Sequence, residues 1–181
     1  MAKPKVATAS LAGCFGCHMS ILDIDDRILK LIELVDFDKS PVDDIKKFTG
    51  RCLVGLIEGG CCNEENVETL REFRKHCDVL ISVGECAIMG DIPAMRNGIP
   101  LKECLTEAYL KGPTVHNERG IVPNDPDLPR LLNKVYPCQE VVKIDYHIPG
   151  CPPPADAIWE VLTALLSNKP INIPYAVLKY D

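Results

Sequence analysis

Ten of the 181 residues are cysteines, and their settings separate a few that could do chemistry from the rest. Cys14 and Cys17 form a Cys-x-x-Cys within Gly13-Cys14-Phe15-Gly16-Cys17. Cys86 follows Gly84-Glu85, and Cys151 lies in Pro149-Gly150-Cys151-Pro152-Pro153. Four thiolates can cage a [4Fe–4S] cluster. Four can also hold a structural zinc, and one Cys-x-x-Cys at a helix start can do thioredoxin-type dithiol exchange. Structural zinc usually takes two local pairs, whereas here one pair is joined by two distant singletons. Dithiol exchange would leave Cys86 and Cys151 without a purpose. A [4Fe–4S] cluster is the expectation, with zinc and dithiol chemistry as competing readings.

Residues so far apart must be gathered by the fold. Four short apolar, β-branched segments predict strands over Lys5–Ser10, Cys52–Ile57, Asp78–Val83 and Glu140–Ile144. One helix is expected after the first strand, because Ile21, Ile24, Ile28, Leu31, Ile32 and Val35 make one apolar stripe. A second starts after Asn63, an N-cap followed by Glu64 and Glu65, and buries Val67, Leu70 and Phe73. A third runs from the prolines after Cys151 through Ile158, Val161, Leu162 and Leu165. Residues 88–139, rich in Pro and Gly, form an excursion with short helices expected around Leu101–Leu110 and Asp127–Lys134. Strands apolar on both faces and alternating with helices indicate a single α/β domain, residues 1–181, with a flavodoxin-like doubly wound parallel sheet. In such a sheet, sites form beyond the carboxyl ends of the strands. With the four predicted strands in the order 2-1-3-4, the loops bearing Cys14, Cys17, Cys86 and Cys151 become neighbours.

Composition narrows the function classes. The net charge of −6 speaks against nucleic-acid binding. No apolar run is long enough to span a bilayer, and the start Met1-Ala-Lys-Pro-Lys does not resemble a secretory signal. Cysteines in a reducing cytoplasm point to metal or redox chemistry more than to disulfides. Cys52 and Cys77 are expected in the core, and Cys104 and Cys138 unligated. Cys61 and Cys62, after Glu58-Gly59-Gly60, are read as filler, with one of them able to approach a cluster. Glu58 is either a solvated or capping acid or a carboxylate that meets a partner or relays protons. His18 could donate to a cluster sulfur or sit in an interface, and Trp159 is expected to pack.

The three-part pattern Cys14-x-x-Cys17, Gly84-x-Cys86-x-x-x-Gly90 and Gly150-Cys151-Pro152-Pro153 resembles the proximal-cluster signature of [NiFe]-hydrogenase small subunits. The run Gly-Cys-Phe-Gly-Cys-His-Met-Ser with Leu22-Asp23-Ile24-Asp25 is most similar to the small subunit of the cytoplasmic, NAD-reducing (bidirectional) hydrogenases. The resemblance implies that Cys14, Cys17, Cys86 and Cys151 bind the [4Fe–4S] cluster nearest the nickel. It implies a partner large subunit holding the Ni–Fe site, iron–sulfur and flavin diaphorase subunits leading to NAD, and no catalytic residue on this chain. The chain would then be the electron-transfer subunit of a cytoplasmic hydrogen:NAD+ oxidoreductase. FMN is not expected here, because the loop after the first strand carries Cys14 and Cys17 in place of a Ser/Thr run. No Gly-x-Gly-x-x-Gly is present, so NAD is expected on a partner. Many related small subunits continue into a second cluster domain, whereas this sequence stops about 30 residues after Cys151, so one cluster is expected. The alternatives are a subunit of a complex I-like quinone reductase and a stand-alone iron–sulfur carrier. The quinone-reductase family resembles this pattern but has a tandem Cys-Cys after strand one, whereas the tandem Cys61-Cys62 follows strand two.

Overall fold

The computed structural model describes residues 2–178. Among the described residues there are seven strands: β1 (Lys5–Ser10), β2 (Asp36–Phe37), β3 (Cys52–Glu58), β4 (Cys61–Asn63), β5 (Cys77–Val83), β6 (Leu131–Tyr136) and β7 (Tyr146–Ile148). Five of them form one sheet in the order β2-β1-β3-β5-β7 with every pairing parallel. Counted along the chain, those five strands stand 2-1-3-4-5, the doubly wound order of flavodoxin-like folds. The expected placement is corrected in one respect. The outer position belongs to β2, two residues long and too short to leave a periodic trace. The segment beginning at Cys52 is therefore the central strand, between β1 and β5, and the loops after β1 and β5 flank the loop after β3.

Helices cover both faces because successive side chains of each strand point to opposite sides. On one face Val6, Val54, Leu56, Ile81, Val83 and Ile148 meet α1 (Gly16–Leu22), α2 (Arg27–Leu34) and α7 (Ala155–Leu166). On the other, Ala7, Ala9, Ile57 and Leu80 meet α3 (Glu64–His76) through Leu70 and Phe73. The Asn63 carboxamide caps α3, accepting from the Asn66 amide at 2.8 Å, as its sequence predicts. Trp159 packs against the first face, with the Arg27 guanidinium over its ring.

Three other expectations are corrected. The single helix after β1 is two, because the chain turns at residues 23–26, where Asp25 takes a left-handed conformation at φ 52°. Aspartates compete for backbone hydrogen bonds and make such a break cheap. The stripe survives it, since Ile21, Ile24, Leu31 and Val35 are buried, although Ile32 is exposed. The fourth strand is not Glu140–Ile144. Cys138–Glu140 is a 3₁₀ turn, Val141, Val142 and Ile144 pack against the second face, and the strand is Tyr146–Ile148. Asp145 sets that register: its amide donates to the Leu80 carbonyl at 2.8 Å, and its carboxylate accepts from the Leu80 amide at 2.9 Å. Asp127–Lys134 is not a helix. Leu131–Tyr136 is β6, antiparallel to β4.

The excursion runs through α4 (Glu85–Met89), α5 (Asp91–Ala94) and α6 (Leu101–Thr106). It is tied down by Asn97, which exchanges hydrogen bonds with the backbone of Val135 at 2.7 and 2.9 Å. Among the described residues no helix is long and apolar enough to cross a membrane.

Candidate metal centre

The site lies at the carboxyl edge of the sheet, where four loops are pinned in two pairs. The loops after β1 and β3 pair as Ala12 and Gly60 exchange backbone hydrogen bonds at 2.9 and 2.8 Å. After β7, Gly150 pairs with Glu85 at the start of α4: its carbonyl accepts from the Glu85 amide at 3.2 Å. Its amide donates to the Glu85 carboxylate at 2.9 Å.

These loops carry the four cysteines singled out by spacing. Cys14 is exposed on the β1 loop, and Cys17, half-buried, is in the first turn of α1. Cys86 is half-buried in α4, and Cys151 is exposed after β7. Cys86 and Cys151 face a common atom, their sulfurs lying 3.9 and 3.7 Å from Asp91 Oδ2. A methyl group added to Gly84 would strike the Cys17 sulfur and come within 3.4 Å of the Gly150 carbonyl oxygen. One added to Gly16 would lie 3.1 Å from the Cys14 sulfur and 3.9 Å from Pro152. The two glycines thus leave room beside the Cys17 and Cys14 sulfurs at the edge that also carries Cys86 and Cys151. Among the described residues no group of three or more Cys, His, Asp or Glu side chains is arranged to hold a metal ion.

Three of the four thiols are held above their ordinary value. Burial pushes the Cys17 thiol well above its usual range, and the Glu58 carboxylate pushes it further. Burial, then Asp91, Cys151, Cys14 and Glu58, raise the Cys86 thiol to about 11. Burial and Asp91 raise Cys151 as well. Burial and neighbouring negative groups disfavour the thiolate at these three positions, and positive charge placed beside them would favour it. That donor set fits an iron–sulfur core, and the cleft kept open at Gly84 leaves the Cys17 sulfur unobstructed.

Glu58 is neither solvated nor turned outward. It is 3% exposed and accepts from the Ser10 hydroxyl at 2.6 Å and the His18 amide at 3.0 Å. His18 is the third residue of α1, so Glu58 satisfies an open N–H of that helix from another strand. Burial opposes its ionisation, but the bonds from His18 and Ser10 prevail and hold its carboxyl below the ordinary value. The His18 ring is 1% exposed and stacked on Phe15. Its Nε2 lies 3.0 Å from the Thr8 hydroxyl, and its Nδ1 lies 3.1 Å from Glu58 without hydrogen-bond alignment. Both ring nitrogens thus face the protein interior. His18 braces Glu58 and α1, in place of either role expected of it.

The remaining cysteines fall elsewhere. Cys52 and Cys77 are buried partners across β3 and β5 at the opposite end of the sheet. Cys61 and Cys138 are buried behind the site, where Cys138 donates to the Gly59 carbonyl at 3.4 Å. Sequence reasoning missed Glu85 and Asp91. Each is an acid beside a thiol motif, Glu85 directly before Cys86 and Asp91 directly after Gly90. An acid placed among residues otherwise apolar or sulfur-bearing was the available signal.

Residues 14–165 match the family described as NADH ubiquinone oxidoreductase, 20 kDa subunit. The chain is 52% identical over 180 residues to the NAD-reducing hydrogenase HoxS subunit delta of Cupriavidus necator, covering 99% of this chain and 86% of that one. It is 40% identical over 178 residues to a subunit of the F420-non-reducing hydrogenase of Methanothermobacter marburgensis, covering 95% of this chain but 56% of that relative. Among solved structures, a chain of an NAD+-reducing [NiFe]-hydrogenase in the H2-reduced state superposes with a TM-score of 0.95 at 50% identity, over 99% of both chains.

Proposed function

We propose that this chain, which belongs to the family of the 20 kDa subunit of NADH ubiquinone oxidoreductase and within it to the NAD-reducing hydrogenase delta subunits, carries electrons through one [4Fe–4S] cluster. It is a hydrogenase subunit and so part of an oxidoreductase. Cys14, Cys17, Cys86 and Cys151 are the ligands in this reading. When bound, such a cluster supplies one-electron capacity at a potential set by charge, hydrogen bonds to sulfur and exposure. The observation that supports the reading most is that Cys86 and Cys151, from two different loops, lie against the same carboxylate oxygen, at the sheet edge that also carries Cys14 and Cys17.

The chain's own residues do the positioning. Glu58 and His18 hold α1, and with it Cys17, against β3. Cys138 fastens the Gly59 loop from behind. The ligating sulfurs must give up their protons on loading, and the raised thiols of Cys17, Cys86 and Cys151 make that release substantial. Outer-sphere electron transfer then needs only a rigid frame and short distances to partners.

Beside the rim stand Met89, Ile92 and Met95, large apolar side chains between 60 and 75% exposed, a surface suited to burial in a complex. The partners in this reading are a large subunit holding the Ni–Fe site and diaphorase subunits carrying FMN, further clusters and NAD. The complex is cytoplasmic, and FMN is not bound on this chain.

Substituting Cys86→Ser tests the reading. H2-dependent NAD reduction falls to background, and the complex loses about four iron atoms, whereas Cys62→Ala, outside the quartet, leaves both unchanged. Wild-type turnover by the Cys86 variant with its iron intact would refute the assignment, as would zinc in place of iron. A nickel-bearing chain co-purifying with this one separates hydrogenase from quinone reductase.

A further inference from the structure

The parallel pairing of β5 with β7 does not stop where the strands end. Val83 pairs with Ile148, and the Gly84 amide donates to the Ile148 carbonyl at 2.9 Å. One step on, the Gly150 carbonyl accepts from the Glu85 amide at 3.2 Å. In a regular parallel ladder the Gly84 carbonyl would accept from the Gly150 amide. Here the chain turns at Gly84 (φ +83°) into α4, and that carbonyl accepts instead from the Ala87 and Ile88 amides at 3.1 and 3.2 Å. The Glu85 carboxylate stands in its place: Oε1 accepts from the Gly150 amide at 2.9 Å. Both backbone groups of Gly150 are thus held by one residue. The next residues along the two segments are Cys86 and Cys151. Glu85 is buried, and Oε2 has no partner among the described residues. Among the described residues the bond from Gly150 is the one hydrogen bond that the Glu85 carboxylate makes.

We propose that Glu85 is a positioning residue, the splint that sets the separation of Cys86 and Cys151 by completing the β5–β7 ladder with its side chain. The proposal rests on the reading of those two cysteines as ligands of one cluster. Glu85 touches neither sulfur through a bond of its own. It acts by denying the Cys151 loop the freedom to swing away from α4.

The test compares Glu85→Gln and Glu85→Met in the complex purified with the chain's native partners. Gln keeps the oxygen that Gly150 uses and replaces only the one without a partner. Met keeps the bulk and removes the acceptor. Three quantities are read: amide hydrogen exchange at Gly150, the rate of iron loss to a chelator, and the electron paramagnetic resonance signal that Cys86→Ser abolishes. Loss of a support behind a metal ligand costs about 10–100-fold in retention. Glu85→Met is expected to speed iron loss by about that factor, to accelerate exchange at Gly150 and to change the signal's line shape. Glu85→Gln is expected to restore all three to within about twofold of wild type. Wild-type behaviour of the Met variant overturns the proposal. So does a Gln variant that fails as Met does, because the hydrogen bond would then not be what matters. A wild-type complex with no signal sensitive to Cys86→Ser would instead sink the cluster reading, and exchange at Gly150 would still judge the splint.

Discussion

Replacing Gly84 with alanine brings two separate penalties to one atom of the site. The backbone there has φ 83° and ψ 161°, a region that side chains bearing a Cβ avoid. Holding alanine in it costs about 1–3 kcal/mol. The new methyl group also meets the Cys17 sulfur and has little room to move aside, with the Gly150 oxygen at 3.4 Å and Pro153 Cδ at 3.7 Å. Overpacking of that kind costs about 1–3 kcal/mol more. The Cys17 side chain cannot yield by moving its helix, because Glu58 and His18 anchor α1. The expected total, about 2–6 kcal/mol, is a large part of the 5–15 kcal/mol that typically holds a domain together. Gly98→Ala is the control, since nothing lies within 4 Å of the added carbon and its stability should stay within about 0.5 kcal/mol of wild type. Denaturant unfolding of the chain reads the energies, and iron content of the assembled complex reads the displaced sulfur. A Gly84→Ala protein that unfolds like the Gly98→Ala control and keeps full iron would refute both the steric account and the closeness of Cys17 to the β5 loop.

Two further outcomes are expected away from the rim. Asp38 is 1% exposed; burial works against its charge, but bonds from Lys5 at 2.8 Å, the Thr49 hydroxyl at 2.6 Å and the Thr49 and Lys39 amides at 2.9 Å prevail. They hold its carboxyl at about 2, against an ordinary 3.8. A lowered folded-state value contributes stability above the unfolded value and loses it as pH falls through the folded one. About 1–2 kcal/mol should disappear between about pH 4 and pH 2, and acid unfolding of Asp38→Asn should lack that component. Phe73, fully buried under Phe48 on the face opposite α1, should cost about 3–5 kcal/mol on change to alanine, with the resonance signal of the site unaltered; a changed signal would mean that the two faces are coupled.

Local chemistry made some elements legible. Asn63 with two following glutamates announced α3, and Lys5–Ser10 read as a buried strand, because caps and alternation act over a few residues. The same rules failed at β7. Tyr146 and His147 are exposed, so the strand carries little apolar signal. Its register comes from Asp145 gripping Leu80, 65 positions away. The β-strand at Leu131–Tyr136 likewise exists because Cys61–Asn63 offers an edge for it to pair with, and nothing nearby in sequence reports that edge.

Residue types and short spacings were enough to disclose the sulfur inventory, the glycines beside each candidate thiol and the alternation of strands and helices. Which strand is central came from the folded chain alone, and with it the placement of Glu58 between the two flanking loops and beside Cys17. The folded chain also brings Glu85 and Asp91 to Cys86 and Cys151. Strand order and loop-to-loop hydrogen bonds join residues dozens of positions apart. Such contacts form from the packing of the whole sheet, and no local pattern records them.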